Sequence, residues 1–164
     1  GARWAAAGAS VAKHGRAVAD WGLHPPQGLF GKTGGSPLTP QTLTAASFEQ
    51  TLLDNDIVLV DFWAAWCGPC RTFGPIFEKS SATHPDIVFG KVDTEAERSL
   101  AGSAGITSIP TLMAFREGIL VFSQPGALPA ASLEQVIAGI RALDMDDVRT
   151  KIAENSLAHA NADH

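Results

Sequence analysis

The sequence predicts an α/β fold with a central mixed β-sheet flanked by helices on both faces. Three observations predict it. Apolar runs of strand length alternate with amphipathic stretches over residues 38–143. One of them, Ile57-Val58-Leu59-Val60-Asp61-Phe62-Trp63, is nearly continuous in apolar residues, as a strand buried on both faces must be. Two later strand-like runs are joined only by Glu117-Gly118, a tight turn that makes them a hairpin.

Each element has its own signal. Residues 39–43 read as a short edge strand. Thr44 is placed to cap a helix reaching about Leu53, with Phe48 and Leu52 four apart on one face. Residues 57–64 form the buried strand. A helix then follows Cys70 to about Thr83, with a kink expected at Pro75 because proline removes an internal hydrogen bond. Residues 87–92 are the next strand and 95–104 a short helix. The hairpin pairs residues 111–116 with 119–123. Ser132 and Gln135 read as a capping box opening a helix whose Leu133, Val136, Ile137, Ile140 and Leu143 make one apolar stripe. Met145, Val148 and Ile152 keep partial helical spacing, which predicts a short added helix before a polar tail.

These signals divide the chain into three parts: an N-terminal extension (1–37), a folded domain (38–143) and a C-terminal extension (144–164). The extension at the start is expected to be disordered. Its Ala-rich opening gives way to Gly22, Pro25, Pro26, Gly28, Gly31, Gly34, Gly35 and Pro37, which break any regular pattern. Residues 1–35 carry a charge of +3 and the remainder −8. Scattered basic residues fit an organelle transit segment, but serine is nearly absent; Lys13 and Arg16 interrupt the apolar core of a secretory signal. Gly28-Leu29-Phe30-Gly31-Lys32-Thr33 mimics a phosphate-binding loop, yet Pro26 occupies the place of its first glycine and no strand precedes it. Nucleotide binding is rejected.

Composition narrows the function. Apolar residues make up 45% and charged residues 18%, an ordinary globular balance. No apolar run approaches the roughly 18–20 residues of a membrane span. A net charge of −5 argues against nucleic acid as the main partner. The two cysteines, Cys67 and Cys70, are too few for a disulfide-stapled scaffold, and their spacing suits a redox pair. The five histidines are scattered, so no metal site is expected.

The pair lies where a buried strand gives way to a helix. Cys67 immediately precedes that helix, whose free N–H groups and macrodipole favour an anion. That lowers a thiol pKa from its usual value near 8.5. A lower pKa also blunts each thiolate's nucleophilicity, so much of the benefit lies in Cys67 being a good leaving group. Cys70, one turn further in, is expected to be more buried and less ionised. Asp61 reads either as a strand-end carboxylate in solvent or as an acid–base group with a raised pKa.

The stretch Trp66-Cys67-Gly68-Pro69-Cys70 closely resembles the signature of thioredoxins. Further matches are Asp61 six residues before Cys67, Pro75 five after Cys70, Lys91-Val92-Asp93, Ser108-Ile109-Pro110-Thr111 and Gly126-Ala127. The resemblance covers residues 38–143 and implies the thioredoxin fold. It implies a protein-disulfide reductase in which Cys67 attacks, Cys70 resolves, Asp61 moves a proton and Lys91 tunes Asp61. The Gly68-Pro69 filling goes with reductants rather than exported oxidants or isomerases. Pro110 is implied to follow a cis peptide bond, leaving the Ile109 backbone free to pair with an extended substrate. Trp66, Gly68, Pro69, Ile109, Pro110, Gly126 and Ala127 would form a flat apolar docking rim, with Trp63 in the core beside Asp61. The resemblance further implies a cytoplasmic monomer with no bound cofactor, supplied with electrons from NADPH by a thioredoxin reductase. Pro125 departs from the pattern, standing where the family usually has an apolar residue with a free N–H. The competing reading is a chaperone or partner-binding module that keeps the fold while the two extensions recruit partners.

Overall fold

The computed structural model describes residues 39–162. The expectations for residues 1–37 lie outside that range. Its elements are β1 (Gln41–Thr42), α1 (Phe48–Asp54), β2 (Ile57–Trp63), α2 (Gly68–Thr83), β3 (Val88–Asp93), α3 (Arg98–Ser103), β4 (Thr111–Arg116), β5 (Ile119–Pro125), α4 (Ala130–Arg141) and α5 (Met145–Ala162). The five strands form one sheet in the order β1-β3-β2-β4-β5. β3 runs parallel to β1 and β2, whereas β4 is antiparallel to both β2 and β5. This is the thioredoxin fold, and its sheet is mixed.

β2 is central, and alternation along it sends its side chains into two separate cores. Ile57 and Leu59 face Phe73, Phe77, Leu133, Ile137 and Ile140 of α2 and α4. Val58, Val60 and Phe62 face the opposite way, toward Leu52 of α1 and the partly buried Phe48 and Leu100. Both layers are full because every β2 residue before Trp63 is buried. Gly90 is required by close packing: a Cβ there would collide with the Leu43 side chain beside β1. At its far end α2 is held to α4 through Glu134, which accepts a hydrogen bond from Ser80 Oγ at 2.7 Å and contacts His84 Nε2 at 2.6 Å.

Three boundary expectations are corrected. Thr44 does not cap α1; residues 45–47 form a turn, Thr44 N–H donates to Ser47 Oγ at 3.0 Å, and the helix starts at Phe48. Ser132 does not open α4 either. The helix begins at Ala130 after an extended Pro129, which puts Ser132 inside its first turn, and no side chain caps it. The short helix expected from residue 95 starts at Arg98 instead. Asp93 Oδ1 accepts the N–H groups of Glu95 and Ala96, bending the chain into a turn first. α2 passes through Pro75 without interruption.

The added helix is longer than expected. α5 spans 18 residues. Met145 and Val148 join the core under α4, with Ile152 packed against it. Among the described residues, no helix is long and apolar enough to cross a membrane.

Candidate active site

Cys67 occupies the N-cap of α2 with an extended backbone, φ −87° and ψ 115°. Its Sγ accepts the Cys70 backbone N–H at 3.2 Å. The sulfur thus takes the place of the usual capping oxygen and meets one of the free donors that every helix start exposes. Pro69 sits in the first turn, where its missing N–H costs no helical bond. The two sulfurs form a disulfide, with Cα atoms 5.3 Å apart.

The expected difference in burial between the cysteines is not seen. Cys67 is 4% exposed and Cys70 5%. In the disulfide each sulfur covers the other, while Ala64, Trp63 and Ile109 pack around the pair. Each keeps a small accessible surface, so the bond is shielded without being sealed.

Opposite the pair, the Ile109–Pro110 peptide is cis. Ile109 O lies 3.7 Å from Cys67 Sγ, a contact that a thiol would convert into a weak hydrogen bond. Gly126 N–H donates to Pro110 O at 2.7 Å, which draws the end of β5 up against this loop. Gly126 has φ +99°, a conformation that strains residues with a side chain. Pro125, paired with Thr111 at the sheet edge, needs no N–H there.

Trp66, Gly68, Pro69, Gly126 and Ala127 are exposed around the pair. Trp66 is the most prominent, at 67%. Ile109 is half-buried and Pro110 buried, so Pro110 forms the floor of the rim rather than part of its surface. Two groups around Trp66 escaped the sequence reading. Glu95 Oε1 accepts the Trp66 indole N–H at 2.9 Å, and Glu95 Oε2 accepts Arg98 at 2.9 Å. They sit 29 residues or more from Trp66, in a turn and a short helix with no periodic pattern, so only the folded chain brings them to it.

Asp61 lies on β2, the strand that precedes the cysteine pair. Alternation along β2 puts it on the face that carries Leu59 and packs against α2. It is fully buried, and neither carboxylate oxygen has a hydrogen-bond partner among the described residues. Burial raises its pKa from 3.8 to about 6, and the positive charge of Lys91 pulls it partly back. Lys91 is the register neighbour of Asp61 on β3, and Leu112 its neighbour on β4.

Beside these groups a cleft of 330 Å³ opens between the sheet and α2, lined by Trp63, Cys70, Arg71, Gly74, Glu78 and Lys91 among others. Trp63 is half-buried and forms a wall of this cleft, with the Lys91 ammonium 5.0 Å from its ring centroid. The expectation of a core tryptophan is corrected accordingly: β2 reaches the edge of the packed layers at this residue. Among the described residues, no group of three His, Cys, Asp or Glu side chains is arranged to hold a metal ion.

Known proteins resemble this chain in sequence and in fold. The sequence model of the Thioredoxin family matches residues 39–139. A Streptomyces coelicolor protein, to which the name thioredoxin 2 is provisionally given, is 60% identical over 112 residues, 68% of this chain and 84% of its own length. Thioredoxin of Porphyra purpurea is 42% identical over 97 residues, covering 58% of this chain and 91% of that one. Among solved structures, a mutant thioredoxin from Halobacterium salinarum superimposes with a TM-score of 0.62 at 31% identity, covering 67% of this chain and 97% of that chain. A sheet of this order, a cysteine pair joined at a helix start and matches of this extent have one reading: the chain belongs to the thioredoxin family and is a thiol–disulfide oxidoreductase that reduces protein disulfides.

Proposed function

We propose that Cys67 is the attacking thiolate and Cys70 the resolving one. The observation that carries this is the position of Cys67 Sγ at the start of α2, where it accepts the Cys70 N–H. A thiolate there gains about 0.3–1 kcal/mol from the helix terminus, and the adjacent N–H donor adds to it. In the first step Cys67 sulfur attacks one sulfur of a substrate disulfide, forming a mixed disulfide and expelling the other as a thiolate. In the second, Cys70 sulfur attacks Cys67 Sγ. The Cys67–Cys70 bond forms and the substrate leaves with both its sulfurs reduced; the two electrons have come from the enzyme dithiol.

Cys70 must lose its proton before it attacks. Asp61 is the acceptor in this reading, since a buried carboxyl with its pKa raised to about 6 exchanges protons near neutrality. Lys91 tunes it. Trp66, Gly68, Pro69, Gly126 and Ala127 make the apolar rim on which substrate docks, above Pro110, and the Ile109 backbone pairs with the extended substrate chain. The oxidised pair is returned to the dithiol by a thioredoxin reductase using NADPH, with no cofactor held by the chain itself. The protein works as a cytoplasmic monomer.

The test is reduction of insulin disulfides with dithiothreitol as electron source. Wild-type protein accelerates insulin precipitation and Cys67→Ser does not. Cys70→Ser accumulates a mixed disulfide that dithiothreitol releases. Retained turnover in Cys67→Ser, or trapping by that variant in place of Cys70→Ser, would reverse the roles.

A further inference from the structure

The Lys91 side chain is long, and several rotamers would carry its ammonium out of the cleft or toward Glu78, which lines the same opening. It takes none of those. Nζ stands 5.0 Å from the Trp63 ring centroid. It also stands over Gly74 of α2, 3.9 Å from where a Cβ on that residue would be, so the helix surface leaves room for it. We propose that Trp63 is a positioning residue for disulfide reduction, its indole face holding the Lys91 ammonium in place near the buried carboxylate of Asp61.

Three features support this. Trp63 lies two residues beyond Asp61 on β2, so both side chains leave the sheet on the same face. Lys91 is the β3 residue in register with Asp61, which puts its stem on that face too. The Asp61 oxygens have no hydrogen-bond partner among the described residues, so Lys91 acts on them by charge and not by contact. A cation held by its own salt bridge would need no further restraint, whereas one acting at longer range does. An ammonium stacked on indole is attracted by the negative face of the ring, the more so where water is excluded. That attraction is enough to favour the stacked rotamer several-fold over one extended into solvent.

Lys91 of β3 is in register with Asp61, Arg71 and Glu78 of α2 line the same cleft as Lys91, and Leu112, the β4 neighbour of Asp61, carries no charge. Of these, Lys91 opposes the effect of burial on Asp61. Releasing the ammonium from Trp63 removes part of that opposition. The Asp61 carboxyl then holds its proton to higher pH.

The inference deepens the acid–base reading of Asp61, and its test is separable from that reading. The Asp61 carboxyl carbon is titrated by NMR in the oxidised protein. Trp63→Leu raises the Asp61 midpoint by about half a pH unit, and Trp63→Phe, which keeps a weaker π face, by less. In a Lys91→Met background the same Trp63 changes move the midpoint by less than about 0.1 of a pH unit, because the ammonium through which Trp63 acts is gone. The pH profile of insulin reduction follows the same order among these variants. An unchanged midpoint in both Trp63 variants overturns the proposal. So does an undiminished change in the Lys91→Met background, which would assign Trp63 a role in excluding water alone. A pH profile left unaltered by Asp61→Asn would remove the acid–base role of Asp61 without touching the titration result.

Discussion

Ionised Asp61 sits among apolar side chains with neither oxygen hydrogen-bonded among the described residues, so folding works against its charge. Its pKa is raised from 3.8 to about 6. The folded state therefore binds a proton that the unfolded chain has already lost between those values. The stability associated with the neutral carboxyl is fully present below about pH 4 and is lost as pH rises through about 6. The loss amounts to about 3 kcal/mol. Asp61→Asn removes this term, while whatever the amide costs in packing does not vary with pH. Urea denaturation at pH 4 and pH 8 should accordingly show the variant gaining on wild type by about 2–3 kcal/mol at the higher pH. Equal differences at the two pH values would mean that Asp61 is hydrated or paired in solution. A residue that weakens the fold at working pH is a candidate for chemistry, which supports the proton-transfer role we propose for it.

At the level of elements, the apolar stripe of α4 proves more informative than its start signal. Leu133, Ile137 and Ile140 are buried, with Val136 and Leu143 packed against the same cluster. The Ser132–Gln135 box sits inside the helix because Ala130 and Ala131, strong helix formers, extend it back to Pro129. Ser132→Ala should thus change stability by less than about 0.5 kcal/mol, against about 1 kcal/mol for the loss of a working N-cap. A loss of the larger size in thermal or urea melts would restore Ser132 to a capping role. The sequence places β4 correctly and ends β5 two residues early, since its apolar run stops before the sheet does: Gln124 and Pro125 still pair with Leu112 and Thr111.

Across the molecule, α5 is tied to the domain from two sides. Arg116 Nη1, at the end of β4, donates to Ile140 O at 2.9 Å and to Leu143 O at 2.9 Å, adding a side-chain donor to carbonyls at the end of α4 and just beyond it. Arg149 of α5 pairs with Glu117 in the β4–β5 turn. Between these anchors Met145 and Val148 close the α4 side of the core. Met145→Ala is expected to lower the unfolding free energy by about 2 kcal/mol, read from the urea midpoint, with insulin reduction unchanged at 25 °C. A neutral effect would mean that α5 is detached in solution.

Whatever repeats or punctuates locally was legible in the linear chain. Strand and helix order follow from apolar periodicity. The cysteine pair can be read because its partners lie three residues apart, whereas the apolar run around Asp61 leaves open whether its carboxyl ends the strand in solvent or is buried. Folding was needed to establish which side chains share a cleft: Lys91 reaching Trp63 from the next strand, Glu95 reaching the Trp66 indole, and Pro110 lying beneath the rim. Folding also settled that Cys67 is shielded as closely as Cys70. One cause is common to all four. Periodicity places a residue on a face, but burial and field depend on what another part of the chain lays over that face, and no local pattern encodes it.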